Sequence, residues 1–186
     1  MIKIQSLMRW DILIGRYIKF YCGFSIVLFI ILRLLKFELI DSISYTVAIV
    51  AFCCLLYDRW LWRINPFEQT PKIYGKYKAL NKSTYNGGIR YNSDIIIKQT
   101  LSNINIYEKM CDGVCESITA SLYRSGDNGQ WFLCYTYLTH PKNSGDDIHY
   151  GTTLLCVIDR DTLEGRYFTD RINQTSGSQC LKRVKK

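Results

Sequence analysis

Two apolar runs lie back to back at the start of this 186-residue chain, and they restrict what the rest can be. The first centres on Tyr17–Leu35 (YIKFYCGFSIVLFIILRLL) and the second on Leu39–Trp60, with only Lys36-Phe37-Glu38 between them. Neither run carries the polar stripe of a helix on the surface of a soluble domain. The charge-free core of the first, Phe20–Leu32, has 13 residues. At about 1.5 Å per residue it spans roughly 20 Å of a hydrocarbon layer roughly 30 Å thick. Lys19 and Arg33 would therefore snorkel at its two ends, or the bilayer would thin around it. Trp10, Tyr17, Trp60 and Trp62 stand where the membrane interfaces would fall. The pattern predicts a membrane-anchoring antiparallel hairpin within residues 1–62, with helices over about 14–35 and 39–60.

Charge orients that hairpin. Lys3, Arg9, Arg16 and Lys19 precede the first run, Arg59, Arg63, Lys72 and Lys76 follow the second, and only Arg33 and Lys36 lie between. Both termini are expected on the cytoplasmic side. The formal net charge is +8, and the excess is spread along the chain apart from a basic tail, Lys182-Arg183-Val184-Lys185-Lys186. Such a balance favours an anionic partner: lipid headgroups, a phosphorylated ligand or nucleic acid. The eight cysteines form no compact framework and read as reduced, small buried hydrophobes, in keeping with the cytoplasm.

Asn65-Pro66 and Thr70-Pro71 mark a stiff linker over 63–72, because a residue before proline is steered away from helix. From residue 73 to 186 the period changes to two. Eight strand-like segments follow: Ile73–Leu80, Asp94–Leu101, Asn103–Met110, Glu116–Tyr123, Gln130–Thr139, Tyr150–Ile158, Leu163–Thr169 and Ser178–Val184. Turn-forming clusters separate them, among them Asn86-Gly87-Gly88, Ser125–Gly129 and Asn143–Asp147. No segment here has a sustained helical period. A sheet this small must bury one face and protect its edges, and closing on itself does both. The expected fold is an N-terminal transmembrane helical hairpin plus an all-β domain, a small eight-stranded antiparallel barrel, with a flattened sandwich as the rival. A barrel of that size can enclose a small ligand.

The chain offers no catalytic constellation and no metal set. His140 and His149 flank a polar turn and read as solvated, and Cys111-x3-Cys115 has no second pair to complete a metal site. Nucleophile-elbow, phosphate-loop and zinc-protease motifs are missing from the sequence. Aromatics are the richer signal. On one predicted strand Trp131, Leu133, Tyr135, Tyr137 and Thr139 share a face, and Phe132, Cys134, Thr136 and Leu138 share the other. Hydroxylated rings make good walls for a planar polar ligand, and they equally fill or brace a small barrel. In Gly165-Arg166-Tyr167-Phe168-Thr169-Asp170-Arg171, alternation puts Gly165, Tyr167, Thr169 and Arg171 on one face. That row supplies a close backbone approach, a ring, a hydroxyl and a forked cation, a set suited to a base and a phosphate, or to an ordinary strand ending in a solvated arginine.

The order of these parts resembles a known family. A two-helix hairpin runs through Trp60-Leu61-Trp62-Arg63 and a proline-containing linker to Tyr74-Gly75-Lys76-Tyr77. A β-rich domain then ends on Gly165-x-Tyr167-x-Thr169-x-Arg171-x-Asn173-x-x-x-Gly177. This is similar to the two-transmembrane, β-strand-rich (STING-like) membrane effectors of bacterial CBASS anti-phage systems. Tyr77 stands where that family often has tryptophan, and Asn173 where it often has threonine. The resemblance implies a non-enzymatic effector in the bacterial inner membrane. Its cytoplasmic barrel would bind a cyclic di- or oligonucleotide from a partner nucleotidyltransferase, self-associate and disrupt the membrane, with no DNA or RNA polymer as partner. It implies ligand contacts at Tyr77, Tyr167, Thr169 and Arg171, to which strand alternation adds Trp131 and Tyr137. The other readings are a membrane-anchored binding or scaffold protein without a nucleotide ligand, and a membrane-associated hydrolase.

Overall fold

The computed structural model describes residues 5–84, 88–111, 113–126, 129–142, 148–171 and 174–184, with side chains from residue 20 onward. The turns expected at Asn86-Gly87 and Asn143–Asp147, together with Asn173 and Lys185-Lys186, lie outside the described residues, as do the side chains of Trp10, Tyr17 and Lys19. The chain divides into two compact units, Met1–Glu68 and Gln69–Lys186.

The first unit is helical. α1 runs over Gln5–Leu34 and α2 over Leu39–Arg59, followed by a single 3-10 turn at Leu61–Arg63. α1 begins well before the expected start near residue 14, since neither proline nor glycine interrupts residues 5–13. α1 stops in a Schellman-type turn. Lys36 takes a left-handed conformation (φ 64°), the Phe37 amide donates to the Leu32 carbonyl (3.2 Å) and the Lys36 amide to Arg33 (3.1 Å). Arg33 closes the end by donating to the Phe37 carbonyl at 2.7 Å.

The residues withdrawn from solvent on these helices mix hydroxylated and small side chains with apolar ones: Tyr21, Ser25, Leu28, Phe29 and Leu32 on α1, and Ser42, Thr46, Val50, Cys53, Cys54, Leu56, Tyr57 and Asp58 on α2. Their hydroxyls are satisfied within the helix, Ser25 to the Tyr21 carbonyl, Ser42 to Glu38 and Thr46 to Ser42, all at 2.7–2.8 Å. Many of the large apolar side chains point the other way: Phe20, Ile26, Val27, Ile30, Ile40, Ile43, Val47, Phe52 and Leu55 are exposed. Trp60 is exposed and Trp62 buried. α2 is long and apolar enough to cross a membrane, and Phe20–Leu34 forms a shorter apolar stretch.

The second unit is a closed antiparallel barrel of eight strands joined in sequence order, so the sandwich alternative does not hold. The strands are β1 Gly75–Ser83, β2 Ile89–Gln99, β3 Ile104–Lys109, β4 Gly113–Arg124, β5 Trp131–Pro141, β6 His149–Val157, β7 Thr162–Thr169 and β8 Ser176–Arg183. β8 pairs back onto β1 from Tyr77↔Arg183 to Ser83↔Gly177, which closes the ring. Among the described residues, one bulge interrupts the ladders, between Ser117 and Thr119 in β4.

Alternation sorts each strand into an inner and an outer row. On β5 the inner row is Leu133, Tyr135, Tyr137 and Thr139, all buried, while Phe132, Cys134, Thr136 and Leu138 are only half-buried on the outside. The inner residues near one end are apolar, including Ile73, Ile95, Ile97, Leu133, Leu155, Leu163 and Leu181. That end is also where the chain enters from the linker. Gln99 fastens the entering segment, accepting from the amides of Ile73 (2.9 Å) and Tyr74 (3.2 Å) and donating to the Pro71 carbonyl (2.9 Å). Arg183 fastens it a second time, donating to the carbonyls of Lys72 and Tyr74 and pairing with Asp161 at 2.9 Å.

Candidate functional site

Because antiparallel strands alternate in direction, the ends of odd-numbered strands and the starts of even-numbered ones share the second, open end of the barrel. There the inner row turns polar, and a cavity of about 270 Å³ opens between the strands. Its walls carry three rings, Tyr91 of β2, Tyr137 of β5 and Tyr167 of β7. Its rim holds Thr169, Arg171, Thr175 and His149, and deeper in lie Cys115, Thr153, Gln179 and Glu108.

Two glycines make room for two of the rings. Gly151 sits opposite Tyr137 across the β5–β6 ladder, and a Cβ at Gly151 would come within 2.3 Å of that phenol. Gly177 sits opposite Tyr167 in the same manner on β7–β8. With no Cβ beneath it, each ring lies down across the neighbouring strand instead of standing into the cavity. Burial pushes the Tyr137 hydroxyl well above its ordinary range, helped by Cys115 and Glu108 and opposed by Arg171. Burial does the same for Tyr91, with the neighbouring Tyr167 hydroxyl adding to it. These tyrosines are therefore neutral at physiological pH and can both donate and accept.

The rim is basic. Arg171 donates from Nε to His149 Nε2 at 3.1 Å. The pairing orients the guanidinium at the edge of the cavity, where a planar fork suits a phosphate. Beside it the Thr169 and Thr175 hydroxyls lie 2.7 Å apart.

The floor is acidic. Glu108 projects inward from β3 and is buried. Its Oε1 accepts from Ser93 Oγ, Asn81 Nδ2 (3.3 Å) and Gln179 Nε2 (3.3 Å), and its Oε2 accepts a long contact from Gln179 (3.3 Å). The network continues below, where Tyr135 donates to Gln179 Oε1 at 3.1 Å. Burial raises the Glu108 carboxyl above its ordinary value, against the opposing pull of the three donors.

Four of the residues singled out in the sequence, Tyr137, Tyr167, Thr169 and Arg171, meet around this cavity. The other two do not. Tyr77 is buried at the closed end, where its hydroxyl donates to the Ile73 carbonyl (2.8 Å) and accepts from Arg183 Nη2 (2.7 Å), with the guanidinium 5.0 Å from the ring centroid. Burial pushes that hydroxyl up to about 12 in spite of Arg183. Trp131 packs against the apolar core at the same end. Both face inward as alternation requires, but at the wrong height. His149, read as a solvated turn residue, is instead only 6% exposed. Glu108, Tyr91 and Gln179 escaped the sequence reading. In the sequence Glu108 falls on the same alternation row as Ile104 and Ile106, as the one charge in that row. Among the described residues, no group of three or more His, Cys, Asp and Glu side chains is placed to hold a metal ion.

Comparison with known proteins agrees with this division of the molecule. A family model described as Cap15, cyclic dinucleotide receptor domain, matches residues 68–183, the whole of the barrel. A CD-NTase-associated protein 15 from Staphylococcus schleiferi is 32% identical over 184 residues, covering 92% of this chain and 98% of that protein. A CD-NTase-associated protein 15 from Yersinia aleksiciae is 26% identical over 135 residues, covering 69% of this chain and 64% of that protein.

Proposed function

This chain belongs to the Cap15 cyclic dinucleotide receptor family, and from that premise we propose that its barrel binds a cyclic di- or oligonucleotide in the open-end cavity and acts as a membrane-anchored CBASS effector. The observation that carries the reading is the layering of that cavity: a basic rim at Arg171, tyrosine walls at Tyr137 and Tyr167, and a polar floor. A nucleotide has the same layers in reverse, a phosphate outside and a planar, hydrogen-bonding base inside. Thr169 and Arg171 contact phosphate or sugar, while Tyr137 and Tyr167 flank the base. About 270 Å³ lies just below the roughly 300–1,000 Å³ of ordinary ligand pockets and suits one base and its sugar better than a whole cyclic ligand. Tyr77 and Trp131 take no part in this site and serve the core.

The ligand is made by a partner nucleotidyltransferase, as the relatives' names suggest. Both helices enter the inner membrane, with both termini and the barrel in the cytoplasm. Support comes from the many large apolar side chains that the helical unit exposes, which suit lipid and not water, and from Ser42 and Thr46 being buried on α2. Ligand binding drives self-association, for which confinement to a bilayer already raises the effective concentration. The clustered helices then disrupt the membrane. The protein is a receptor, not an enzyme.

The test is titration of the full-length chain in lipid nanodiscs with a panel of cyclic di- and trinucleotides, followed by leakage of dye-loaded vesicles bearing it. Saturable binding with ligand-dependent leakage is expected. A chain that binds none of them is a scaffold in the sense of the second reading, and turnover of the ligand would mark a hydrolase.

A further inference from the structure

Glu108 is an expensive residue for a barrel interior. A buried carboxylate is costly unless paired or well hydrogen-bonded. Its neighbours on the same inward row, Ile104 and Ile106, show what the interior otherwise takes. No lysine or arginine forms an ion pair with it among the described residues. Three neutral donors hold it, and they are unevenly shared. Oε1 accepts from Ser93, Asn81 and Gln179, whereas Oε2 accepts one long contact of 3.3 Å from Gln179. A carboxylate oxygen has capacity for about two such bonds. Oε2 is thus an anchored acceptor with capacity left, and Glu108 is part of the cavity lining.

Sign then fixes how a nucleotide enters. Arg171 at the rim is the one lysine or arginine among the described residues lining the cavity, so phosphate is drawn there and the base points down. An acceptor at the bottom welcomes a base edge that presents N–H groups and disfavours one that presents a ring-nitrogen lone pair. Guanine presents an imino N–H beside an exocyclic amino group, two donors on one edge. Adenine presents an amino group beside a bare N1. We propose that Glu108 is the base-reading residue of the cavity and selects a guanine-type edge over an adenine-type one. The inference rests on the cyclic nucleotide reading above and deepens it. Ser93, Asn81 and Gln179 are positioning residues that aim the carboxylate.

The experiment is a titration of the full-length protein in nanodiscs with cyclic di-GMP, cyclic GMP–AMP, cyclic di-AMP and cyclic di-IMP, using wild type and Glu108→Gln. Glutamine keeps the size of the side chain but replaces one acceptor by a donor. Wild type is expected to bind guanine ligands at least about tenfold more tightly than cyclic di-AMP, and Glu108→Gln to narrow that ratio at least about tenfold. Hypoxanthine lacks only the exocyclic amino group, so weaker binding of cyclic di-IMP than of cyclic di-GMP tests the contact in wild type alone, even if the variant folds poorly. Preference for cyclic di-AMP, or equal loss of all ligands in Glu108→Gln, overturns the inference and leaves the receptor reading standing. If wild type binds none of the ligands, the receptor reading falls, and this inference falls with it.

Discussion

Gly177 lies directly across the β7–β8 ladder from Tyr167, and a Cβ at Gly177 would stand 2.7 Å from that ring and 2.2 Å from the Lys82 carbonyl oxygen. The ring lies over a strand that has given up its side chain for it. Gly177→Ala should therefore cost about 1–3 kcal/mol of barrel stability, as overpacking does. Gly151→Ala should cost less, because the nearest atoms a new Cβ meets there belong to the Tyr137 ring and not to backbone. It should instead push that ring into the cavity and weaken ligand binding. Thermal unfolding and ligand titration of the two variants, measured side by side, check this division.

Arg171→Ala should weaken cyclic nucleotide binding by about 1.5–3 kcal/mol, the range for hydrogen bonds to a charged group, with little change in melting temperature. Its side chain sits at the rim, and His149 is its hydrogen-bond partner there. The salt dependence of binding should become shallower in the variant, since one charge-assisted contact is gone. Titrations at two ionic strengths read both effects, and unchanged affinity would remove Arg171 from the site.

Glu108→Gln should change how stability depends on pH. Burial raises the Glu108 carboxyl above its ordinary value of 4.5, so the folded barrel holds this proton more tightly than the unfolded chain does. The stability that proton contributes is fully present below the unfolded pKa and is lost as pH rises through the folded one. Glutamine does not titrate. The stability of wild type relative to Glu108→Gln should thus be greatest in acid and decline as pH rises. Denaturant unfolding of both proteins across pH 4–8 measures the difference, and a flat difference would contradict the assignment.

Arg183→Ala should loosen the closed end. Its guanidinium reaches the carbonyls of Lys72, Tyr74 and Arg160, the Tyr77 hydroxyl and the Asp161 carboxylate. Removing it leaves several of these acceptors without a donor, a loss of about 2–4 kcal/mol. Arg183→Lys should recover only part, because a single ammonium cannot span the fork. Proteolysis within residues 69–74 should accelerate in both variants, and more in the alanine one.

The eight strands were legible in the sequence because alternation and turn residues mark them directly, and closure followed from the edge problem of a small sheet. Height along the barrel was not legible in the same way. Alternation assigns a face, and it says nothing about which end of the strand a residue occupies. Trp131 and Tyr137 share a face, but six residues at about 3.3 Å each put them roughly 20 Å apart, too far for one small site. Tyr77 and Trp131 begin odd-numbered strands, whereas Tyr137 and Thr169 fall toward the ends of theirs, and that distinction separates core from cavity. The inward face of β5 was undetermined because Phe132 and Leu138 are as apolar as Leu133 and Tyr135. His149 was hidden by the polar turn before it. Its burial comes from its place on the inward row of β6, as the first residue of that strand.

The ladder between β1 and β8 has a consequence for how copies of this protein can meet. Every strand of the barrel has a neighbour on each side, but the β3–β4 ladder covers three pairs, Tyr107↔Glu116 to Lys109↔Val114, and stops short of the far half of β4. Growth by backbone addition, the route by which open sheets polymerise, is confined to that stretch. Elsewhere any assembly is written in side chains, on the outer rows of the strands or along the helices, and single substitutions can dissolve it without unfolding the protein.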